Sequence, residues 1–361
     1  MKKEIENLKD LIYNPSKKML DDYSYNYATF SSNIKRFLPS IPSSKYMRMY
    51  QEVIYYQKVS GLEQSDSVYL NESKIINHSK VNLEQPILNK TTIFATFHLG
   101  SYRLLNCYLY EKGFKVVLII DESVFVNQQE EMLRVCREEL KGKDSSDMII
   151  LNVKDRASIF KLKQLIIDGY VMTVYLDGNT GINEKNQDFS KSYITINFLK
   201  SNMYVKNGIG KLAALLDAQF IPVVSYRDDK GRNHIEFNPE ISNDDFESKQ
   251  QFAVKTIEIA YNKLEEKLIK YPTQWECWLY IHKWFMRDGV SPYYITQQVE
   301  NNFNKERYTV FTLNKSSFLF DMFDYRSYPI GSDFLKAIRE NDFKKIDPFL
   351  FQGLIEKNIV I

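Results

Sequence analysis

Short apolar runs alternate with amphipathic stretches from residue 91 onward, and this alternation predicts the centre of the fold. Most of the apolar runs are rich in β-branched or aromatic residues and have the length of a strand. They lack polar alternation, which is typical of strands that are buried on both faces of a sheet. The predicted strands are residues 91–97, 115–120, 148–151, 171–176, 194–199 and 220–225.

Between these strands, apolar residues recur at helical spacing. The predicted helices are residues 102–111, 128–140, 157–168 and 204–217, followed by a longer one over 249–270. The helix over 157–168 precedes Gly169, which fits a glycine C-cap. Strands that alternate with helices indicate an α/β fold with a mostly parallel sheet flanked by helices.

Changes of pattern divide the chain into three segments. Residues 1–90 predict a helical N-terminal region packed on the core, with Pro39 and Pro42 marking a break between helices. Residues 91–290 form the predicted α/β core. Residues 291–361 predict a small α+β C-terminal appendage. Its elements are a β-hairpin over 308–313 and 318–323 and helices over 332–340 and 348–357.

Composition and charge narrow the class of protein. The chain has 361 residues, of which 44% are hydrophobic and 26% charged, as in an ordinary globular protein. The net charge of +2 gives no reason to expect a nucleic-acid partner. The three cysteines predict no disulfide framework and show no C-x-x-C metal pattern, and they favour the reducing cytoplasm. No signal peptide and no run of about 18 apolar residues is present, so at most peripheral membrane contact is expected.

Polar side chains follow several of the predicted strands. His98 follows the first strand, Asp121 the second, and Asp177 the strand over 171–176. Because ligands in open α/β sheets bind beyond the carboxyl ends of the strands, these groups are expected to converge on one edge. A histidine there can act as a general base, and a carboxylate on its other ring nitrogen would fix its tautomer. A structural role for His98 is the alternative.

Five stretches of the chain occur in a fixed order. They are NIKRFLP at 33–39, FHLGSY at 97–102, LDGN at 176–179, a glycine- and proline-containing stretch over 198–223, and YPTQW with WLYIHKW over 271–284. In this order they resemble the late acyltransferases of lipid A biosynthesis, the lauroyl/myristoyl transferase branch of the lysophospholipid acyltransferase superfamily. The resemblance covers about residues 26–288.

The resemblance implies acyl transfer from a carrier-protein or coenzyme A thioester to a hydroxyl or an amine, with no metal and no other cofactor. The family's His-x4-Asp/Glu motif would make His98 the base, but Arg103 stands at the position of the acid. An arginine cannot accept the imidazole N–H, and its charge would lower the pKa of a close histidine. Three interpretations stay open. Asp177 or Asp121 replaces the acid, His98 acts without one at a reduced rate, or the site binds without catalysis.

Other side chains are candidates for substrate contacts. They are Arg103, Asp121, Arg137, Asn179 and Arg227. Each arginine could hold an anionic group of a substrate. The alternative is an ordinary solvated or salt-bridged side chain, with Asp228 or Asp229 as the partner of Arg227. Trp275 is interpreted as part of the core.

The predicted function is acyl transfer to an amine or hydroxyl of a soluble acceptor, such as a peptide or a natural product, with His98 and Asp177 as catalytic residues. The alternative is a non-catalytic protein that kept the fold and binds acyl groups or a partner. Thioester hydrolysis in the same fold is a third option. Residues 291–361 resemble the small winged-helix-like peptide-recognition domains of natural-product pathways. That implies a peptide partner at this segment, and a structural or dimerising appendage is the alternative.

Overall fold

The computed structural model of the protein describes residues 2–86, 88–120, 147–152, 157–178, 193–285 and 302–361. The described helices are α1 (Lys2–Tyr13), α2 (Lys17–Phe37), α3 (Tyr46–Glu63), α4 (Ser67–Asn71), α5 (Leu104–Glu111), α6 (Ala157–Ile167), α7 (Gly208–Leu216), α8 (Lys249–Lys270), α9 (Ser332–Glu340) and α10 (Pro348–Glu356). The described strands are β1 (Lys74–Asn77), β2 (Thr92–Thr96), β3 (Val116–Ile120), β4 (Met148–Asn152), β5 (Val171–Tyr175), β6 (Tyr193–Phe198), β7 (Ser201–Lys206), β8 (Gln219–Arg227), β9 (Asn233–Phe237), β10 (Tyr308–Leu313), β11 (Ser316–Asp321) and β12 (Arg326–Ile330). Short 3₁₀ segments occur at Ser43–Lys45, Asn243–Asp245, Pro272–Gln274, Glu276–Leu279 and Ile281–Lys283.

A seven-stranded sheet forms the centre, in the order β1-β9-β8-β2-β5-β3-β4. β8 and β9 pair antiparallel, and all other neighbours in this sheet pair parallel. Every residue of β2 and β3 is buried, as their continuous apolar runs predict. The predicted α/β class with a mostly parallel sheet is therefore confirmed.

Two glycines show how the sequence determines local structure. Gly169 has a φ of +85°, and its N–H donates to the Ile166 carbonyl at 3.0 Å, which closes the end of α6 as predicted. Gly210 lies where α7 approaches α8. A Cβ at Gly210 would lie 2.1 Å from the Ala253 carbonyl oxygen, so a side chain there would force the two helices apart.

Two predictions in the middle of the chain are wrong. Residues 194–199 were expected in the central sheet, and residues 204–217 were expected to be one helix. The structure instead pairs β6 and β7 as a separate antiparallel hairpin, and α7 begins only at Gly208. The hairpin turns at Leu199 and Lys200, whose φ values are 50° and 64°. Two-residue turns of this kind usually contain asparagine or glycine, so the usual signal is missing here.

Besides β7, the predicted elements lack three strands, β1, β9 and β12. β1 has only four residues, and β9 carries Asn233, His234 and Glu236, which do not resemble an apolar run. β12 is an edge strand that contains Pro329. Because proline removes a backbone donor, Pro329 argues against a strand in the sequence, although proline is tolerated at the edge of a sheet.

The chain divides into two compact units. The first comprises residues 1–9 and 51–277, and the second comprises residues 10–50 and 278–361. In the second unit, α2 lies against the three-stranded antiparallel sheet β10-β11-β12: Ser24 Oγ donates to the Thr312 carbonyl at 2.9 Å, and the ring centroids of Tyr25 and Phe311 are 5.0 Å apart. Each unit is therefore built from separate stretches of chain, which a division along the sequence does not describe.

None of the described helices is both long and apolar enough to cross a membrane.

Candidate functional site

His98 and Asp177 emerge side by side from two neighbouring strands of the central sheet. β2 and β5 are parallel, and their pairing places Thr96 opposite Tyr175. His98 and Asp177 each lie two residues beyond this last pair. The His98 backbone N–H donates to both carboxylate oxygens of Asp177, at 2.9 and 3.1 Å. The carboxylate is therefore fixed to the loop that begins at His98.

The imidazole of His98 is also bonded to this carboxylate. Nδ1 of His98 lies 2.7 Å from Oδ1 of Asp177. The Asp177 side chain is fully buried, whereas the His98 side chain keeps 19% of its surface exposed. In the described part of the chain, Nε2 of His98 has no hydrogen-bond partner. This arrangement holds Nδ1 as the protonated nitrogen and leaves Nε2 for proton transfer.

A segment that follows α8 binds the other side of Asp177. The indole Nε1–H of Trp275 donates to Oδ2 at 2.7 Å, and the Cys277 thiol lies 3.2 Å from the same oxygen. Trp275 and Cys277 are both fully buried. The segment is itself fixed to the loop after β2, because the Glu276 N–H donates to the His98 carbonyl at 3.0 Å. Asp177 is thus surrounded by donors, as expected for a buried ionised carboxylate.

The two groups shift each other's pKa. Burial alone would lower the pKa of His98, but the charge of Asp177 and its hydrogen bond outweigh burial and raise that pKa above its ordinary value. Burial alone would raise the pKa of Asp177, but the charge of His98 and hydrogen bonds from His98 and Trp275 lower it. A carboxylate that stays ionised stabilises an imidazolium that forms beside it.

Gly100 allows the loop after His98 to approach β8 closely. Its φ is +58°, and a Cβ there would lie 2.7 Å from the Tyr226 Cα and 2.8 Å from the Ser225 carbonyl oxygen. Any side chain at this position would collide with the backbone of β8. The glycine therefore fixes where His98 lies relative to the sheet.

His98, Asp177 and Cys277 are also donor types that metals accept, and their ligand atoms lie within 4.8 Å of one another. Both oxygens of Asp177 already accept hydrogen bonds, and Nδ1 of His98 is bonded to one of them. A metal ion would have to replace these bonds. The geometry favours a hydrogen-bonded network over a metal site.

Arg103 lies one residue before α5, at its N-cap. Its guanidinium carbon is 4.9 Å from the centroid of the Tyr102 ring. Its charge lowers the pKa of His98, as expected from the sequence, but Asp177 acts more strongly in the opposite direction. The carboxylate that follows β5 therefore outweighs the effect of Arg103 on the imidazole of His98.

Arg227 lies in a buried ion pair. Its Nη2 is 2.5 Å from Oε2 of Glu63, the last residue of α3, and Ser101 Oγ bonds to both side chains. Arg227 is 5% exposed. Its charge is balanced within the fold, so the structure favours a salt-bridged side chain over a substrate contact. The partner is Glu63, and the expectation of Asp228 or Asp229 is wrong.

Three candidate residues, Asp121, Arg137 and Asn179, lie outside the described residues. The same holds for the helix predicted over 128–140. Their predicted contacts stay predictions.

The sequence analysis missed several groups around His98. Trp275 is interpreted from the sequence as part of the core, and its core position is confirmed. The sequence assigns no role to Cys277. The signal for the contact of Trp275 is the YPTQW stretch, which the resemblance includes; Cys277 lies two residues beyond that stretch. Tyr102 and Tyr175 were not singled out, although the centroids of both rings lie 4.7 Å from that of His98.

No protein-family model and no curated protein matches the chain.

Proposed function

We propose that this chain is an acyltransferase that moves a fatty acyl group from a coenzyme A or carrier-protein thioester to an amine or a hydroxyl. The observation that carries the proposal is the bond between His98 Nδ1 and the buried Asp177 carboxylate, with Nε2 left for proton transfer. The five ordered stretches that resemble lipid A late acyltransferases support the choice of an acyl thioester as donor.

Each of these two residues has a role in the proposed reaction. Nε2 of His98 takes the proton from the acceptor as its nitrogen or oxygen attacks the thioester carbonyl carbon. The C–S bond breaks, and the leaving thiolate receives the proton back from the imidazolium. The products are an amide or ester and a free thiol. Asp177 accepts the Nδ1–H and stabilises the imidazolium between these two steps.

The position of Asp177 supports one of the three interpretations that the sequence left open. Arg103 occupies the motif position of the acid, while the carboxylate that contacts His98 comes from the end of β5. In this proposal Asp177 replaces the lost acid. The two other interpretations, a base without an acid and binding without catalysis, become outcomes of the test.

The test measures release of free thiol from a panel of acyl-coenzyme A and acyl-carrier thioesters, with amine and hydroxyl acceptors and mass detection of the products. His98→Gln should abolish thiol release, and Asp177→Asn should reduce it by about 10²- to 10⁴-fold. His78→Gln is the matched control, because this side chain is 53% exposed and lies outside the site. Release that survives in His98→Gln would overturn the proposal. Thioester binding without release would favour the non-catalytic alternative, and free fatty acid would indicate hydrolysis.

A further inference from the structure

Two opposite charges flank Tyr102, the side chain that lies against His98. The Tyr102 hydroxyl donates to Oε2 of Glu276 at 3.2 Å. The guanidinium carbon of Arg103 lies 4.9 Å from the centroid of the same ring. The Tyr102 ring in turn packs edge-on against the imidazole of His98. A cation and an anion are thus placed next to the group proposed to act as the base.

Neither charge has an ion-pair partner within the described part of the chain. Arg103 makes no hydrogen bond or ion pair there, and the Glu276 carboxylate accepts only the Tyr102 hydroxyl. The two side chains do not pair with each other. Both are partly buried, which reduces their contact with water. Charges that are removed from water and left unpaired cost free energy, which a ligand of complementary charge would offset.

A third polar group lies near the same ring system. Asn106, on the first turn of α5, is 5% exposed and donates from Nδ2 to the Tyr175 hydroxyl at 3.1 Å. Among the described residues, its Oδ1 has no hydrogen-bond partner. Exchanging the amide oxygen and nitrogen would leave a donor unpartnered in place of an acceptor. In either orientation, one buried amide atom lacks a hydrogen-bond partner among the described residues.

We infer that the acyl acceptor is a zwitterion of the α-amino acid class, an inference that rests on the proposed function. Its carboxylate binds Arg103, and its ammonium is drawn to Glu276, next to His98. One guanidinium balances one negative charge, and Glu276 repels a second, so a carboxylate fits better than a doubly charged phosphate. The acyl thioester and the amino acid give an N-acyl amino acid, a free thiol and one proton. Of the two protons that leave the ammonium, one goes to the thiolate and one to solvent.

Activity measurements compare acceptors that differ in charge. The acceptors are α-amino acids, their carboxamides, which lack the carboxylate, and phosphoethanolamine, whose anion is a phosphate. Wild type should use the amino acids, and Arg103→Met should raise the KM for them by about 10- to 100-fold. The KM for the thioester should stay unchanged, and Arg103→Lys should restore part of the loss. Arg232→Met is the control, since Arg232 is an exposed arginine outside the site.

A binding measurement separates this inference from the proposed function. Glycine is titrated into wild type and Arg103→Met while the NMR signals of the His98 ring are followed, with His98→Gln for assignment. Glycine should shift these signals in wild type and not in Arg103→Met.

Shifts without transfer to any acceptor would keep the zwitterion site and overturn the acyltransferase. Transfer to carboxamides at an equal rate, unchanged in Arg103→Met, would keep the enzyme and overturn the zwitterion. A KM effect on the thioester alone would assign Arg103 to the donor and likewise overturn the inference, as would preference for phosphoethanolamine.

Discussion

The indole N–H of Trp275 and the imidazole of His98 bind opposite oxygens of the same carboxylate, because Trp275 donates to Oδ2 of Asp177 while His98 Nδ1 contacts Oδ1. A carboxylate held at both oxygens cannot rotate without losing a bond. The orientation of the proposed base therefore depends on residues from three separate parts of the first unit.

Replacing Trp275 with phenylalanine keeps most of the apolar volume and removes the N–H. We expect the free energy of unfolding to fall by about 1.5–3 kcal/mol, because a buried carboxylate loses a hydrogen bond. The pKa of Asp177 should rise, since this bond helps to lower it. Urea denaturation at pH 7 measures the stability. Trp284→Phe is the control for loss of indole volume, because Trp284 is a buried tryptophan of the other unit whose Nε1 has no hydrogen-bond partner among the described residues.

The rate of the proposed reaction should depend on the ionisation of His98. Because the free base is the active form, the rate should rise with pH through a pKa above 6.5, the ordinary value for histidine. In Asp177→Asn the raising charge is lost, so the midpoint should move to lower pH while the maximal rate falls. A pH–rate profile of both proteins measures this. An unchanged midpoint in the variant would show that another group titrates.

Stability should depend on pH through the same pair. Asp177 has a lowered pKa, so its contribution is present above its ordinary value of about 4 and is lost as pH falls through the folded value. His98 has a raised pKa, so its contribution is present below about 6.5 and is lost as pH rises through the folded value. Between about pH 4 and pH 6.5 both are present. The stability difference between wild type and Asp177→Asn should therefore be about 3 kcal/mol or more at pH 5.5 and smaller at pH 8.5.

Gly100→Ala should destabilise the protein by more than the cost of a left-handed backbone. That cost alone is about 1–2 kcal/mol, and the contacts with Tyr226 and Ser225 add to it. Gly169→Ala is the matched control, because Gly169 also has a positive φ but its Cβ would meet nothing within 4 Å. Thermal unfolding of both variants measures the difference. Equal losses would mean that the loop after His98 can move away from β8.

Arg227→Met tests the structural role of the buried ion pair. It leaves the Glu63 carboxylate buried without its cation, which we expect to cost about 3–5 kcal/mol. The double variant Arg227→Met with Glu63→Leu should recover much of this loss, because no unpaired charge remains. Denaturant unfolding of the single and double variants gives the coupling. A single variant as stable as wild type would contradict the structural role and return Arg227 to the substrate candidates.

The sequence predicts which residues lie at the ends of the strands, but it does not predict contacts between segments that are far apart in the chain. The apolar runs gave β2 and β5, and the rule that ligands bind at strand carboxyl ends placed His98 and Asp177 at one edge. No periodicity shows that Trp275 lies against Asp177, since 98 residues separate them. Arg227 and Glu63 are 164 residues apart in the chain, and no local sequence pattern indicates their ion pair either. Such contacts follow from the packing of whole elements, which a single sequence does not display.

The composition of the second unit has a practical consequence for dissecting the chain. Asn33 on α2 donates to the Trp278 carbonyl at 2.7 Å and accepts from the Tyr325 hydroxyl at 2.9 Å, and both bonds are internal to that unit. A protein cut before residue 302 would keep α2 but lose Tyr325 and the sheet that packs against Tyr25. The remaining fragment would expose buried aromatic surface and an unsatisfied amide, and we expect it to aggregate. The carboxyl-terminal segment is therefore not a detachable module, and its role is better studied by point substitutions in the intact chain.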